Sequence, residues 1–353
     1  MRAAKFDRAP SQMFHSRPSI SLLAALVALL VLALVAVLVG RFPLGANDVL
    51  TLLWAKVSGG AHHLSPQAET VLFELRGPRV LAAIVIGAAT SGAGAVFQNM
   101  FRNPLVSPDI LGVSSGAALG AVLAIFLSLP LLAIQGFAFA GGLLAVALVY
   151  VIGNAVRGHD PILALILTGV VVGTLFGSFI ALLKTLADPY NQLPAITFWL
   201  LGSLSSVSPQ DLWIAIPLVL LGLVPIFLLR WRMNLLSLSD DEASALGVNV
   251  NWMRIVIVAC ATLITAAAVA ISGIIGWIGL LIPHAARLIA GPEFSRLLPL
   301  SLVLGACYLL AVDTLARTMA QIEIPPGVLT ALIGTPLFLW LLAAMHSRKR
   351  AQD

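Results

Sequence analysis

Arg76 and Arg79 lie one helical turn apart at the head of an uncharged stretch from 80 to 101. A guanidinium is planar and permanently charged, and its fork of donors suits paired contact with a carboxylate. Arg317, far along the chain, flanks another apolar run. A second group with chemical content is Ser239-Asp240-Asp241-Glu242, which fits a capping box: the serine caps the first amides of a helix while Glu242 reaches back. Ala243, Ser244, Ala245 and Leu246 continue that helix, and Gly247 supplies a residue able to end it in a left-handed turn. The pattern does not decide between a helix resting on a surface and a rigid knob for a partner's groove. Signatures of resident bond-making chemistry are missing: the chain has no GxxxxGK[ST] phosphate loop, no HExxH and no CxxC. No catalytic residues and no metal ligands are therefore assigned.

The elements that must carry these groups are membrane spans. The chain has 353 residues, of which 60% are hydrophobic and only 10% charged, and its mean hydropathy is +1.03. Such a chain cannot hide its apolar surface inside a water-soluble globule. The apolar runs are long, continuous and rich in Leu, Ala, Val and Ile, so the spans are helices and not barrel strands. The run at 20–40 follows Arg2, Lys5, Arg8 and Arg17; it is too long for a signal core and is read as an uncleaved span. Further spans are expected at 80–101, 111–130, 134–156, 162–183, 210–229, 297–316 and 327–345. The uncharged stretch 255–283 is too long for one span and too short for two with a polar loop, so a break is placed at 272–276, with a short eighth helix resuming near Pro283. The expected fold is therefore all-α and polytopic, with about ten transmembrane helices. Gly112, Gly116 and Gly120, and later Gly169, Gly173 and Gly177, recur every four residues, which leaves a stripe where a neighbouring helix can approach closely.

Fourteen of the twenty Lys and Arg residues fall on one side if both termini are cytoplasmic, among them Arg102, Arg157, Arg230, Arg232, Arg254, Arg287, Arg296 and the terminal Arg348, Lys349 and Arg350. That bias orients the protein. The pI near 9.7 is thus an orientation signal, and the basic residues are too dispersed for a nucleic-acid surface. The chain divides into a cytoplasmic tail at 1–18, a membrane domain at 19–346 with a cytoplasmic loop at 230–254, and a cytoplasmic tail at 347–353. Cys260 and Cys307 fall within spans and read as small apolar packing residues. The spans lack the chain of buried acids expected of a proton-driven carrier, although a broken-helix ion site remains open.

The motifs then become specific. Arg76-Gly77-Pro78-Arg79, SGAGAVFQNMFRNPLVSPDILGVSSGAALGA at 91–121, FWLLGSL at 198–204, DDEASALGV at 240–248, SGIIGWIGLLIPHAARL at 272–288, DTLAR at 313–317 and PPGVLTALIGTPLFLWLL at 325–342 resemble, in order, the signature of the BtuC/FecCD family. These are the membrane permeases of type II ABC importers for iron-siderophores, haem and cobalamin. The resemblance covers nearly all of the chain after about residue 40. Gly77 departs from the usual leucine, and the N-terminal tail is longer than the core fold requires.

The resemblance implies a ten-helix BtuC-like subunit of the bacterial inner membrane. It implies pairing with a second permease copy as a homodimer, or with a sister permease, around one pathway. Two ABC ATP-binding subunits would dock beneath and carry ATP and Mg, with no cofactor on this chain, and a periplasmic binding protein would deliver the substrate. Ser239, Asp240, Asp241, Glu242, Ala243, Ala245, Leu246 and Gly247 match the segment that couples to the ATPase. Arg76, Arg79 and Arg317 match outward-facing residues that pair with acids of the binding protein. Ser114, Gly116, Gly169, Gly173, Phe198, Trp199, Pro283 and His284 fall in segments that resemble the pathway and gate, and for His284 and Arg287 packing competes with a gate contact. The substrate implied is a ferric siderophore or related iron chelate, with haem, cobalamin or an oxyanion as alternatives, and a stand-alone secondary carrier as the reading of another class.

Overall fold

The computed structural model describes residues 18–61, 63–156 and 161–350. Among them every regular element is helical. This is what lipid demands, since a helix satisfies its backbone polar groups internally. The chain runs α1 (Pro18–Leu38), α2 (Ala46–Ser58), α3 (Pro66–Thr70), a π-helical turn at Val71–Arg76, and α4 (Gly77–Met100). After a 3-10 turn at Pro108–Leu111 come α5 (Val113–Phe126), α6 (Leu131–Ala155), α7 (Pro161–Leu186), α8 (Gln192–Leu200) and α9 (Pro209–Met233). A second 3-10 turn, Asn234–Ser237, leads to α10 (Asp240–Ala245), α11 (Val250–Ser272), α12 (Ile278–Ala290), α13 (Phe294–Thr318) and α14 (Pro326–Arg350).

Seven described helices are long and apolar enough to cross a membrane, and three shorter apolar ones, α5, α12 and the Pro326–Leu341 part of α14, complete a set of ten. The short helices that do not span lie at opposite ends of the bundle: α2, α3 and α8 at one, α10 at the other. Arg2, Lys5, Arg8, Arg17 and Arg157, on which the orientation argument also rests, lie outside the described residues, as do nearly all of the 1–18 tail and residues 351–353 of the C-terminal one.

The core is built on α4, which packs against α13, α11, α12 and α9 and is buried along most of its length. Small residues make this possible. A Cβ on Gly87 would stand 2.3 Å from the Gly305 carbonyl of α13, and one on Gly94 would stand 1.9 Å from the Gly279 carbonyl of α12. Backbones meet directly at both places, a contact that any side chain would force apart. The expected glycine stripe on α5 also works this way, with Gly116 against Gly141 and Gly120 against the Phe137 carbonyl of α6. The later stripe is only partly used: Gly169 meets the Ile110 carbonyl, whereas Gly177 faces open space on the outward side of α7.

The break falls where the sequence places it, but the helix resumes earlier than expected, at Ile278. Positive φ at Gly273 (65°) and at Trp277 (70°) turns the chain, so Pro283 lies inside α12 and not at its start. A proline there cannot donate to the carbonyl four residues back. Gln98 of α4 fills the gap, its Nε2 donating to Leu280 O at 3.0 Å and reaching Gly279 O at 3.5 Å.

Candidate functional site

At the α10 end the capping box closes as its residue types require. The Ser239 amide and hydroxyl donate to Glu242 Oε2 at 2.9 and 2.8 Å, and the Glu242 amide donates to Ser239 Oγ at 3.3 Å. The bonds from Ser239 hold the Glu242 carboxyl below the ordinary carboxylate range. Gly247 takes φ +83°, and the amides of Gly247 and Val248 close the C-terminal turn on Ser244 O and Ala243 O. Ala243 is buried beneath the helix, while Asp241, Glu242, Ala245 and Leu246 face outward. Asp240 anchors the helix sideways, accepting from Arg102 Nη2 at 3.0 Å and Arg254 Nη2 at 2.9 Å. The result is a fixed knob with an acidic and apolar outer face.

At the opposite end the three arginines do come together, but the expectation that they face outward needs correcting. Arg76 and Arg317 are buried, at 6% and 8% exposure. Arg76 Nη1 donates to Val37 O at 2.9 Å and Leu38 O at 3.3 Å, and its Nη2 donates to Phe42 O. It thereby satisfies carbonyls at the negative end of α1. Arg317 donates to Ala36 O and stands 3.9 Å from Asp313. Arg79 grips Asp313 through Nε and Nη2 at 2.9–3.0 Å, and its Nη1 reaches Glu323 at 2.9 Å. The physical reason is local: Asp313 lies one turn before Arg317 and fully inside the bundle, where an acid persists only beside cations. Sequence reasoning missed Asp313 and Glu323 as partners, although the i,i+4 spacing of Asp313 and Arg317 was a visible signal. It also passed over Arg41, which donates to Ala320 O at 3.2 Å.

Between these ends, at the α8 side, lies a cavity of about 640 Å³ lined by Gln135, Gln192, Phe198, Trp199, Ser203 and Glu323 among others. Its floor is the broken backbone. Ser203 N donates to Ser272 O at 2.8 Å, and a Cβ on Gly273 would lie 2.3 Å from Trp199 O. The irregular segment is thus held in protein and lines the cavity, the one setting in which membrane depth tolerates it. Gln135 is oriented by Asp211, its Nε2 donating at 2.8 Å.

Of the residues expected along a pathway, Phe198 and Trp199 line this cavity. Ser114 and Gly116 do not. Ser114 donates to Asp109, and Gly116 is sealed between α5 and α6. Gly169 is likewise packed, and Gly173 touches only Ser115. Pro283 and His284 are buried within α12, with the His284 ring edge-on to Phe338 at 5.8 Å. Five of these six sit in helix contacts, Gly173 is half-buried on α7, and none of the six lines this cavity.

The sequence pattern of the FecCD transport family matches residues 28–344. The molybdate import system permease protein MolB of Haemophilus influenzae is 39% identical over 311 residues, covering 88% of this chain and 91% of that protein. An iron chelatin transport system permease protein of Helicobacter pylori is 45% identical over 272 residues, 77% of this chain and 82% of its own length. The hemin transport system permease protein HmuU of Yersinia pestis is 38% identical over 286 residues, 79% of this chain and 85% of its own. A solved structure described as an inward-facing conformation of a metal-chelate type ABC transporter superposes with a TM-score of 0.83 at 37% identity, covering 93% of this chain and 99% of that one.

Proposed function

The chain belongs to the FecCD transport family, and from that premise we propose that it is the permease through which a ferric siderophore or related iron chelate crosses the bacterial inner membrane into the cytoplasm. That it is a permease subunit of an ABC importer follows from the family and from its relatives; the substrate is the proposal. The observation that carries it is the α8-side cavity. Its volume of about 640 Å³ is in the usual range for a bound small molecule, roughly 300–1,000 Å³. Its described lining offers amides, hydroxyls, two aromatic rings and one carboxylate, and no lysine or arginine. A chelate whose metal charge is masked by its own ligands asks only for hydrogen bonds and apolar wall. A bare oxyanion at the same wall would lose its water and meet Glu323, whose partner Arg79 is not among the lining residues. The relative named for iron chelatin supports the same reading. The molybdate relative favours the oxyanion alternative.

In this reading two ABC ATP-binding subunits hold ATP and Mg, and they grip the outer face of α10. A second permease copy completes the pathway, a periplasmic protein delivers the chelate at the α8 end, and both termini are cytoplasmic. The test is uptake by the full importer in proteoliposomes. A radiolabelled ferric hydroxamate should accumulate only with ATP on the α10 side, persist when proton and sodium gradients are collapsed, and resist competition by molybdate. Saturable molybdate uptake that the chelate does not compete would overturn the substrate. Gradient-driven uptake by this chain alone would overturn the class.

A further inference from the structure

The α10 end holds a second cavity of about 640 Å³, between the end of α4, the turn after it, the Asn234–Ser237 turn and the junction of α12 with α13; its wall includes Gln98, Arg102, Asn103, Asn234, Arg287 and Glu293. We propose that this cavity binds a phosphate-type oxyanion group carrying a hydrogen-bond donor, seated on Arg287.

Two features of the wall select that chemistry. The first is unbalanced positive charge. Arg102 and Arg254 share the single carboxylate of Asp240, and Glu293 is engaged by Arg296 at 2.7 Å and by the Ser295 hydroxyl at 3.0 Å. Among the described residues Arg287 pairs with no carboxylate, and its Nε and Nη2 are buried without an acceptor. A guanidinium in that state is strongly unfavourable, and an oxyanion relieves it with paired bonds. The Asn103 side chain adds donors: its Oδ1 accepts from Leu105 N at 2.9 Å, which leaves the amide N–H groups for a ligand. The positive end of α13 also begins at this wall.

The second feature is an acceptor in want of a donor. Gln98 Nε2 is committed to the α12 carbonyls, so its Oε1 is fixed, buried and unpartnered. A ligand that only accepts would leave Gln98 unsatisfied. Hydrogen phosphate carries both functions, and so does a lipid headgroup whose phosphodiester is joined to a hydroxyl. The shared chemistry is the same, and the source is a matter for the experiment.

Binding is measured on the full-length permease without transport, so failure of the substrate reading leaves the result intact. Inorganic phosphate should raise the thermal unfolding midpoint saturably at fixed ionic strength, and sulfate, which lacks the proton at neutral pH, should do so less. Arg287→Gln should weaken that response by about tenfold or more. Asn103→Asp keeps the acceptor for Leu105 N but brings a negative charge to the rim on an exposed turn, and should weaken it similarly without disturbing α12. In the lipid arm, wild-type protein from discs of mixed phosphatidylglycerol and phosphatidylcholine should retain phosphatidylglycerol in native mass spectra, and both variants should release it. A phosphate response without lipid retention assigns a free anion, and retention without a phosphate response assigns a headgroup. If neither readout separates wild type from the two variants, the cavity holds only water and the proposal is wrong.

Discussion

Both ends of the bundle carry clustered charge, but they use it in opposite ways. At the α8 end Arg79 has its donors on Asp313 and Glu323, Arg76 caps α1, and Arg317 is buried against Ala36 O. In α10 Asp240 is the acid held by ion pairs, while Glu242 has only the Ser239 cap and stands in the open with Asp241, Ala245 and Leu246. A charge pattern in sequence therefore does not identify a docking surface. What separates the two ends is whether the chain supplies its own counter-charge. The arginine knot does, and it acts as a fastener joining α1, α4 and α13; the α10 knob does not, and its outer face is available to a partner.

The largest effect expected from breaking this contrast is at Asp313. Its side chain is 1% exposed and that of Arg79 12%, so Asp313→Ala leaves Arg317 buried without its acid and Arg79 with only the exposed Glu323. Removal of one partner from such a pair costs about 3–5 kcal/mol. Denaturant unfolding of the detergent-solubilised chain should show a loss of that order, and Arg79→Met with Asp313→Leu should recover much of it. A loss below about 1 kcal/mol, the range of an exposed pair, would mean that the knot is hydrated and its arginines are free for another protein.

The α10 knob should behave the other way, with little stability at stake and much function. Glu242→Lys removes the carboxylate that closes the capping box on Ser239, and Gly247→Val forces a β-branched residue to φ +83°. Each variant should insert normally and yet lose ATP-driven uptake. Retention of the ATPase on purification together with normal uptake would sink the coupling role. The cap also has a pH signature. Because hydrogen bonds from Ser239 lower the Glu242 pKa in the folded state, its contribution is complete above the ordinary carboxylate range and is lost as pH falls through the lowered value. The Ser239 amide, which donates to the Glu242 carboxylate, should keep its exchange protection through mildly acidic pH and lose it only below. Acceleration already in the ordinary carboxylate range would show that the box is not closed in solution.

Much of this architecture was legible in sequence because lipid simplifies the problem. Long apolar runs, glycines four apart and the Ser-Gly-Ile-Ile-Gly interruption each have one cheap solution in a bilayer. The capping box was legible because its partners are three residues apart. The arginine knot was not, since Arg79 meets Asp313 across 234 positions, and nothing local distinguishes an interfacial anchor from half of a buried pair. The helices α2 and α3 also escaped notice: they are short and carry no span-length signal, although Ser65 before Pro66 is an N-cap whose side chain accepts from Ala68 N. Ser114, Gly116 and Gly169 illustrate a further limit. Small residues on a span permit either a passage or a tight contact, and only the neighbouring backbone decides which.

The smallest effect, and the one that most sharpens the contrast, is at Glu323. This carboxylate is the exposed member of the knot, its side chain 40% accessible at 2.9 Å from Arg79 Nη1, and it lines the α8-side cavity as well. An exposed pair of this kind contributes about 0–1 kcal/mol, so Glu323→Gln should barely move the unfolding midpoint. Its consequence is that one face of Arg79 loses its internal acid while Asp313 keeps the side chain in place. If an acidic residue of the periplasmic protein docks here, it must displace Glu323 from Arg79, and the glutamine variant removes that competitor. The expected outcome is tighter binding of the periplasmic protein, by several-fold at low salt and less at high salt, as for any partly exposed charge pair. Unchanged affinity at both salt concentrations would mean that Arg79 serves the fold alone and that the partner docks elsewhere on the α8 end.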